Sequence, residues 1–246
     1  MKKMTAISTT NLTKKYKDTV AVNGIDLNIE KGELYSLLGV NGAGKTTTIK
    51  MLCCLTKPTE GDAEVLGISV KKNPVKVKSH INVSPQETAV APNLTVRENL
   101  NLIARIYGNK KAQAKSKVRE TIKTFGFEEI ANKKAKTLSG GWKRRLSIAM
   151  ALISDPDILF LDEPTLGLDV LARRELWKVI RKLKGDVTII LTTHYLEEAE
   201  ALSDRIGIMS SGDIKAEGTA GELMEKTGTQ SFEDAFVEFA GEGVVQ

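Results

Sequence analysis

One short segment constrains this chain more than any other. Residues 39–46 read Gly-Val-Asn-Gly-Ala-Gly-Lys-Thr, which matches the pattern G-x-x-x-x-G-K-[ST]. An apolar run at 34–38 predicts a buried strand before it, and 46–55 predicts a helix after it, ended by Pro58 and a turn at 60–62. Glycines there let successive N–H groups face one anion, at the positive end of a helix. A chance match arises in roughly one chain in a hundred of this length, so the segment predicts a loop that binds nucleotide phosphates.

The predicted loop assigns chemistry to particular side chains. Lys45 supplies a mobile positive charge for the outer phosphates, and the Thr46 hydroxyl is a hard-oxygen ligand suited to Mg²⁺. The residues expected to contact the nucleotide are Gly39, Val40, Asn41, Gly42, Ala43, Gly44, Lys45, Thr46 and Thr47.

A second apolar run, at 158–161, ends in two acids, Asp162 and Glu163. A carboxylate at the C-terminal end of a parallel strand faces the ligand crevice of an open α/β sheet. Asp162 suits Mg²⁺ binding, and Glu163 suits polarising the water that attacks the γ-phosphate. The alternative is a solvated pair of acids at a strand end, which the upstream phosphate loop disfavours.

Outside the middle of the chain, the sequence patterns of strands and helices alternate. Ile25, Leu27 and Ile29 alternate with polar residues, as in a half-buried strand. Strands and helices then alternate, which predicts βαβ units and a parallel sheet. The predicted elements are a helix to Ser154, a strand at 158–161, a helix through Trp177 and a strand at 187–191. The predicted class is therefore α/β.

The middle of the chain has a different pattern. Residues 87–137 contain no strand pattern and predict a helical insertion. Thr95 and Glu98 have capping-box spacing before one helix, and Val118, Ile122 and Phe125 predict a second. Phe232, Ala235, Phe236 and Phe239 predict a short helix near the C-terminus.

Composition excludes several classes without choosing a function. Thirty-six Lys and Arg against 31 Asp and Glu give a formal charge of +5, which fits an anionic small ligand, a lipid surface or nucleic acid equally well. The two cysteines, Cys53 and Cys54, are adjacent and cannot staple a loop, which favours a reducing compartment. The first five residues carry no apolar run, so no signal peptide is predicted. The longest apolar runs fall below the roughly 18 residues of a membrane span.

Leu138-Ser139-Gly140-Gly141 precedes the strand that ends at Asp162. A phosphate loop, then LSGG, then an apolar run ending in Asp-Glu resembles the ATP-binding cassette (ABC) ATPases over nearly the whole chain. In family order, Tyr16 resembles the aromatic that stacks on adenine, Gln86 the Q-loop glutamine that contacts nucleotide and metal, Asp169 the D-loop aspartate, and His194 the switch histidine. Alone, Tyr16 would be an ordinary strand aromatic and His194 an ordinary core or surface residue.

The resemblance implies a fold and a mode of action. It implies a P-loop NTPase core with a parallel sheet, an N-terminal antiparallel β subdomain and an inserted helical subdomain. The predicted bounds are 1–86 and 138–230 for the core with its antiparallel subdomain, 87–137 for the insertion, and 231–246 for a C-terminal helix and tail. It also implies that Ser139, Gly140 and Gly141 bind the γ-phosphate of an ATP held by a second subunit. ATP hydrolysis would then use Lys45, Glu163 and His194, with Mg²⁺ held by Thr46, Gln86 and Asp162.

One substitution in the motifs is expected to be neutral, and two further places leave alternatives open. Val40 replaces a proline common in this loop, a change expected to matter little. Trp142 replaces the glutamine often found after LSGG and is expected to pack either at a dimer interface or against the helical insertion. Lys143, Arg144 and Arg145 form either a solvated basic face or a source of positive potential around a shared polyphosphate.

Residues 138–150 and the segment after His194 resemble the ABC-2 type of drug, lipid, sodium and bacteriocin-immunity exporters. The resemblance implies a second cassette, identical or different, separate transmembrane permease subunits, a cytoplasmic position on the inner face of the cell membrane and no nucleic-acid partner. Two alternatives remain: a soluble ABC ATPase with an assembly or scaffold role, and a nucleotide-gated binding protein without turnover. Intact Glu163 and His194 disfavour the latter.

Overall fold

The chain folds into two β-sheets with helices packed against them. The structure, a computed structural model, describes residues 4–241. In chain order the elements are β1 (Thr5–Tyr16), β2 (Thr19–Ile25), β3 (Asn28–Glu30), β4 (Leu34–Leu38), α1 (Lys45–Leu52), β5 (Glu60–Val65), β6 (Ile68–Ser69), α2 (Pro74–Lys78), β7 (Ile81–Ser84), α3 (Val96–Ile106), α4 (Lys111–Phe125), α5 (Gly140–Leu152), β8 (Ile158–Asp162), α6 (Val170–Leu183), β9 (Thr188–Thr193), α7 (Leu196–Leu202), β10 (Arg205–Ser210), β11 (Asp213–Gly218), α8 (Ala220–Thr227) and α9 (Phe232–Gly241).

The central sheet has the strand order β11-β10-β4-β9-β8-β7. Neighbours from β10 to β7 run parallel, and β11 pairs antiparallel with β10. Every residue of β4, β8 and β9 is buried, as expected for parallel strands covered on both faces. The register sets Asp162 on β8 beside Thr192 on β9, so the carboxyl ends of adjacent strands meet at one edge. The predicted α/β class with a parallel sheet is confirmed.

The N-terminal sheet is antiparallel, with the order β2-β1-β5-β6 and β3 also paired to β1. Ile7, Leu12 and Ile29 from this sheet share one core with Tyr35 and Phe160 of the central sheet. The antiparallel β subdomain implied by the resemblance is therefore present.

Residues 87–137 contain α3, α4 and a 3₁₀ turn at Ala135–Thr137. The Thr95 hydroxyl accepts a hydrogen bond from the Glu98 backbone N–H, and the Glu98 carboxylate accepts one from the Thr95 N–H, so the expected capping box starts α3. Val118, Ile122 and Phe125 line the buried face of α4. Both helices join α5 and one face of the central sheet in a second apolar core.

Two local predictions near the phosphate loop are wrong. The helix predicted to reach Leu55 ends at Leu52, because Cys54 adopts a left-handed φ of 56° and the N–H groups of Leu55 and Thr56 turn back to the Lys50 carbonyl. The turn predicted at 60–62 is the start of β5, paired with β1. Gly61 permits this pairing, since a Cβ there would lie 2.0 Å from the Asn11 carbonyl oxygen.

The remaining boundaries shift by a few residues. The strand predicted through 25–29 is divided between β2 and β3, the helix expected to reach Ser154 ends at Leu152, and the strand predicted at 187–191 is β9. The predicted C-terminal helix is α9, which packs with α8 against β10. The predicted tail at 242–246 and the first three residues lie outside the described part of the chain. Between residues 4 and 241, every helix is too short or too polar to cross a membrane.

Candidate nucleotide site

A cleft of about 300 Å³ opens at the edge where the carboxyl ends of β4, β8 and β9 meet. Its walls come from the phosphate loop, the start of α1, the segments after β7, β8 and β9, and one residue of the antiparallel sheet. The lining residues are Ala21, Asn41, Gly42, Gly44, Lys45, Thr46, Thr47, Gln86, Glu163, Leu166 and His194. The topology thus brings five separate sequence segments to one cavity.

The loop has the backbone form that an anion cradle needs. Gly42 and Gly44 have φ values of 84° and 108°, in a region that other residues rarely adopt. A Cβ at Gly44 would also lie 2.4 Å from the Ala21 carbonyl oxygen. Helix α1 begins at Lys45 without a side-chain cap, so its first N–H groups are available to a ligand.

The Lys45 ammonium lies at the centre of this cradle. It donates hydrogen bonds to the carbonyl oxygens of Gly39 at 2.8 Å and Val40 at 3.1 Å, and lies 3.5 Å from Glu163 Oε1. Burial lowers the pKa of Lys45, and the neighbouring Glu163 carboxylate partly offsets that shift. A polyphosphate entering the cleft would therefore meet a positioned, poorly solvated cation.

The oxygen atoms beside Lys45 form a donor set suited to Mg²⁺. Asp162 Oδ1 accepts hydrogen bonds from Thr46 Oγ1 at 3.1 Å and Thr192 Oγ1 at 2.5 Å. Gln86 lines the cleft together with Thr46. No cluster of three or more His, Cys, Asp or Glu within residues 4–241 could hold a metal alone. One carboxylate with neutral oxygens fits a metal completed by water and substrate phosphates, which is how Mg²⁺ usually binds.

Glu163 and His194 lie next to each other in the wall of the cleft. Glu163 is buried and has a left-handed φ of 48°, and its N–H donates to the Thr192 carbonyl and hydroxyl oxygens. Its Oε2 lies 2.5 Å from His194 Nδ1. A buried carboxylate whose backbone is fixed in this way can accept a proton from water.

Not every predicted nucleotide contact lines this cleft. Tyr16 is half-exposed at the end of β1, with its ring centroid 4.9 Å from Lys14 Nζ, and it is absent from the cleft lining. Asp169 caps α6 by accepting hydrogen bonds from the N–H groups of Leu171 and Ala172. Ser139 and Gly140 lie exposed at the N-terminus of α5, away from the cleft.

The residues after LSGG differ from one another in their surroundings. The Trp142 ring packs 6.0 Å from the ring of Phe127, so Trp142 contacts the helical insertion. Arg145 stacks 4.8 Å from the Trp142 ring and pairs with Glu175. Arg144 is buried and bonds backbone carbonyls. For Arg144 the expectation of a solvated basic face is wrong, because its side chain is buried. The alternative, that Arg144 adds positive potential around a shared polyphosphate, stays a prediction.

The sequence did not predict the contacts of Thr192 and Arg144 with the segments of the site. Thr192 lies at the end of β9, two residues before His194, and β9 is the strand next to β8. The position of this threonine in the sequence could therefore have indicated a hydroxyl partner for Asp162. Arg144 gave no such signal, since its acceptors are main-chain oxygens. Ala21 and Leu166 also line the cleft without a motif of their own.

One cleft contains a glycine loop with its lysine, a glutamate that follows a strand and a histidine, and the strand-end aspartate is bonded to the loop threonine. This arrangement defines the site of a P-loop ATPase. Residues 22–166 match the family model described as ABC transporter. The chain belongs to the ABC transporter family and is an ATP-binding, ATP-hydrolysing cassette, as the sequence resemblance implied.

Known proteins agree with this assignment. The chain is 44% identical to the daunorubicin/doxorubicin resistance ATP-binding protein DrrA of Streptomyces peucetius, over 91% of this chain and 68% of that protein. It is 40% identical to the probable multidrug ABC transporter ATP-binding protein YbhF of Escherichia coli, over 96% of this chain and 41% of YbhF. Thus the chain spans less than half of YbhF. A solved dimer of the ATP-binding cassette MJ0796 with ADP and Pi is 29% identical, with a TM-score of 0.77 over 87% of this chain and 98% of that one.

Proposed function

We propose that the chain is the ATP-hydrolysing subunit of a membrane exporter, in which two cassettes close around two ATP molecules and drive separate transmembrane subunits. The observation that carries this proposal is the exposed N-terminus of α5. Ser139 and Gly140 present unbonded helix N–H groups to solvent, where an anion is favoured, yet they do not line the chain's own cleft. A second cassette that brings its own nucleotide to this end of α5 would complete both sites.

The residues of the cleft divide the work of hydrolysis between them. Lys45 and the loop amides bind the outer phosphates, and Tyr16 stacks on the adenine. Glu163 accepts the proton of the attacking water, while His194 keeps its carboxylate oriented, consistent with the 2.5 Å separation of Oε2 and Nδ1.

The metal and the partner subunit complete this arrangement. Thr46, Gln86 and Asp162 would hold Mg²⁺, which would supply positive charge to neutralise the phosphates. Asp169, at the start of α6, faces the partner cassette. The second cassette is identical or closely similar to this one, consistent with the dimeric MJ0796 cassette.

The helical insertion is the proposed contact with the transmembrane subunits. Leu102 and Ile106 are exposed apolar residues one turn apart on α3, and Tyr107 follows them. The Tyr107 hydroxyl accepts a hydrogen bond from Asn82 on β7, the strand that leads to Gln86. A partner seated on this apolar surface would therefore sense movements of Gln86.

The relatives favour export and a position on the inner face of the cell membrane. DrrA is named for drug resistance and YbhF for multidrug transport, functions that removal of a compound from the cytoplasm would serve. No nucleic-acid partner is proposed.

Site-specific photo-crosslinking in membranes tests the partner assignment. A crosslinker at Ile106 should capture an integral membrane protein. The control carries it at Val237, which is apolar and similarly exposed but lies on α9, the helix that packs against β10 and β11 at the end of the sheet opposite β7. Capture of soluble proteins alone at Ile106, or equal capture of the membrane protein from Val237, would contradict the proposal and favour a soluble ABC ATPase.

A further inference from the structure

Arg144 is a buried cation whose donors are matched to main-chain oxygens. It lies near the start of α5 and is 4% exposed. Nε donates to Pro164 O at 2.7 Å, Nη1 to Pro85 O and Gln86 O, and Nη2 to Asp162 O and Glu163 O, both at 2.7 Å. A guanidinium has five N–H donors in a rigid fork, and here they match five carbonyls.

These carbonyls belong to two segments that carry proposed site residues. One contains Gln86, and the other contains Asp162 and Glu163. Arg144 does not line the cleft, so it acts on the site through the backbone. Burial lowers the pKa of Arg144 to about 10, which leaves it charged at neutral pH and able to hold the five carbonyl dipoles.

Arg144 is also linked, through the helix that carries it, to the N-terminus of α5. Arg144 comes five residues after Ser139, which is about 7.5 Å along a regular helix. Because the helix is stiff over this length, a shift of its N-terminus is carried to the guanidinium. The guanidinium in turn contacts both segments of the cleft.

We propose that Arg144 is a positioning residue, through which binding of the partner's nucleotide at Ser139–Gly141 aligns Gln86 and Glu163 for hydrolysis in the chain's own cleft. The proposal rests on the shared-site arrangement proposed above. It explains why a cation is buried here without touching substrate, and it makes hydrolysis depend on closure of the dimer.

The test compares Arg144→Lys with Arg145→Lys in the full chain. Lysine keeps the charge but offers only three donors for five carbonyls. Arg145 undergoes the same change at a partly exposed position, where it contacts Trp142 and Glu175. The measurements are bound ATP per chain, KM and kcat for ATP, and the fraction of dimer with Mg-ATP. Counting bound ATP normalises kcat to folded protein.

Arg144→Lys should bind ATP with unchanged stoichiometry and KM, and should accumulate as an ATP-bound dimer. Its kcat should fall roughly 10–100-fold, as expected when reacting groups are displaced by about 1 Å, while Arg145→Lys keeps the wild-type kcat. Equal kcat per bound ATP in both variants would overturn the inference. Loss of ATP binding in proportion to activity would also overturn it, as it would mean a purely structural role.

The wild type tests the underlying arrangement separately. If two cassettes share each ATP, hydrolysis per chain should rise with protein concentration in the dilute range. A concentration-independent wild-type rate would overturn the shared-site proposal, and the inference with it. A concentration-dependent wild type with a fully active Arg144→Lys would overturn the inference alone.

Discussion

Replacing Glu163 with glutamine separates ATP binding from hydrolysis. The backbone at Glu163 is fixed by hydrogen bonds to Thr192, so a glutamine side chain of the same shape should occupy the same place. It cannot accept a proton, and loss of such a base typically lowers a rate by about 10²–10⁴, or roughly 3–5 kcal/mol of barrier. We therefore expect Glu163→Gln to bind ATP and nearly stop hydrolysis.

The effect on affinity follows from the 3.5 Å separation of Lys45 Nζ and Glu163 Oε1. Without the Glu163 charge, Lys45 loses a competing anion and phosphates meet less repulsion, so ATP affinity should stay equal or rise. Burial already lowers the pKa of Lys45, and Glu163 offsets part of that shift. The variant should therefore lose its Lys45 charge, and with it ATP affinity, at a lower pH than the wild type as pH increases.

The assay combines ATP titration, phosphate release and size-exclusion chromatography in Mg-ATP. Glu163→Gln should elute as a dimer, while the wild type returns to monomer as it consumes ATP. Glu200→Gln, an exposed acid on α7, is the matched control and should behave as wild type. Hydrolysis by Glu163→Gln at the wild-type rate would refute the role of Glu163. An inactive variant that stays monomeric at high ATP and protein concentrations would refute the shared site instead.

Three further predictions concern binding and stability. Lys45→Ala should abolish ATP binding in isothermal titration, because the cleft loses the cation that its loop positions; wild-type affinity would contradict this. Glu198 is fully buried and its pKa is raised by burial, so folding of the wild type should weaken as pH rises above the carboxyl's ordinary range. Glu198→Gln can still accept the Trp177 indole hydrogen bond, so its melting temperature should fall less than that of the wild type between acidic and neutral pH. The same pH dependence of the melting temperature in both proteins would refute this role of Glu198. Phe127→Ala should cost about 3–5 kcal/mol in urea unfolding, since Phe127 is fully buried beside Phe125; a cost below 1 kcal/mol would contradict the packing.

Local sequence determined the elements that short-range interactions specify. In three segments the interacting groups lie within a few residues of one another. These segments are the glycine loop at 39–46, the Thr95–Glu98 capping box and the apolar run that ends at Asp162. Their structures follow from backbone sterics, helix-end hydrogen bonding and burial, all readable without knowing the fold. The resemblance in the order of these motifs supplied the P-loop core and the antiparallel subdomain.

Tertiary structure alone decided the features that join distant segments. The chain turns at Cys54, and β5, which contains Gly61, pairs with β1, although the local sequence pattern predicted a longer helix followed by a turn. Thr192 reaches Asp162 across 30 residues of sequence. Arg144 takes its five acceptors from residues 18–59 positions away. Main-chain carbonyls are present at every position and leave no pattern in the sequence, so only the packing of α5 against the two site segments could distinguish a buried guanidinium from a solvated one.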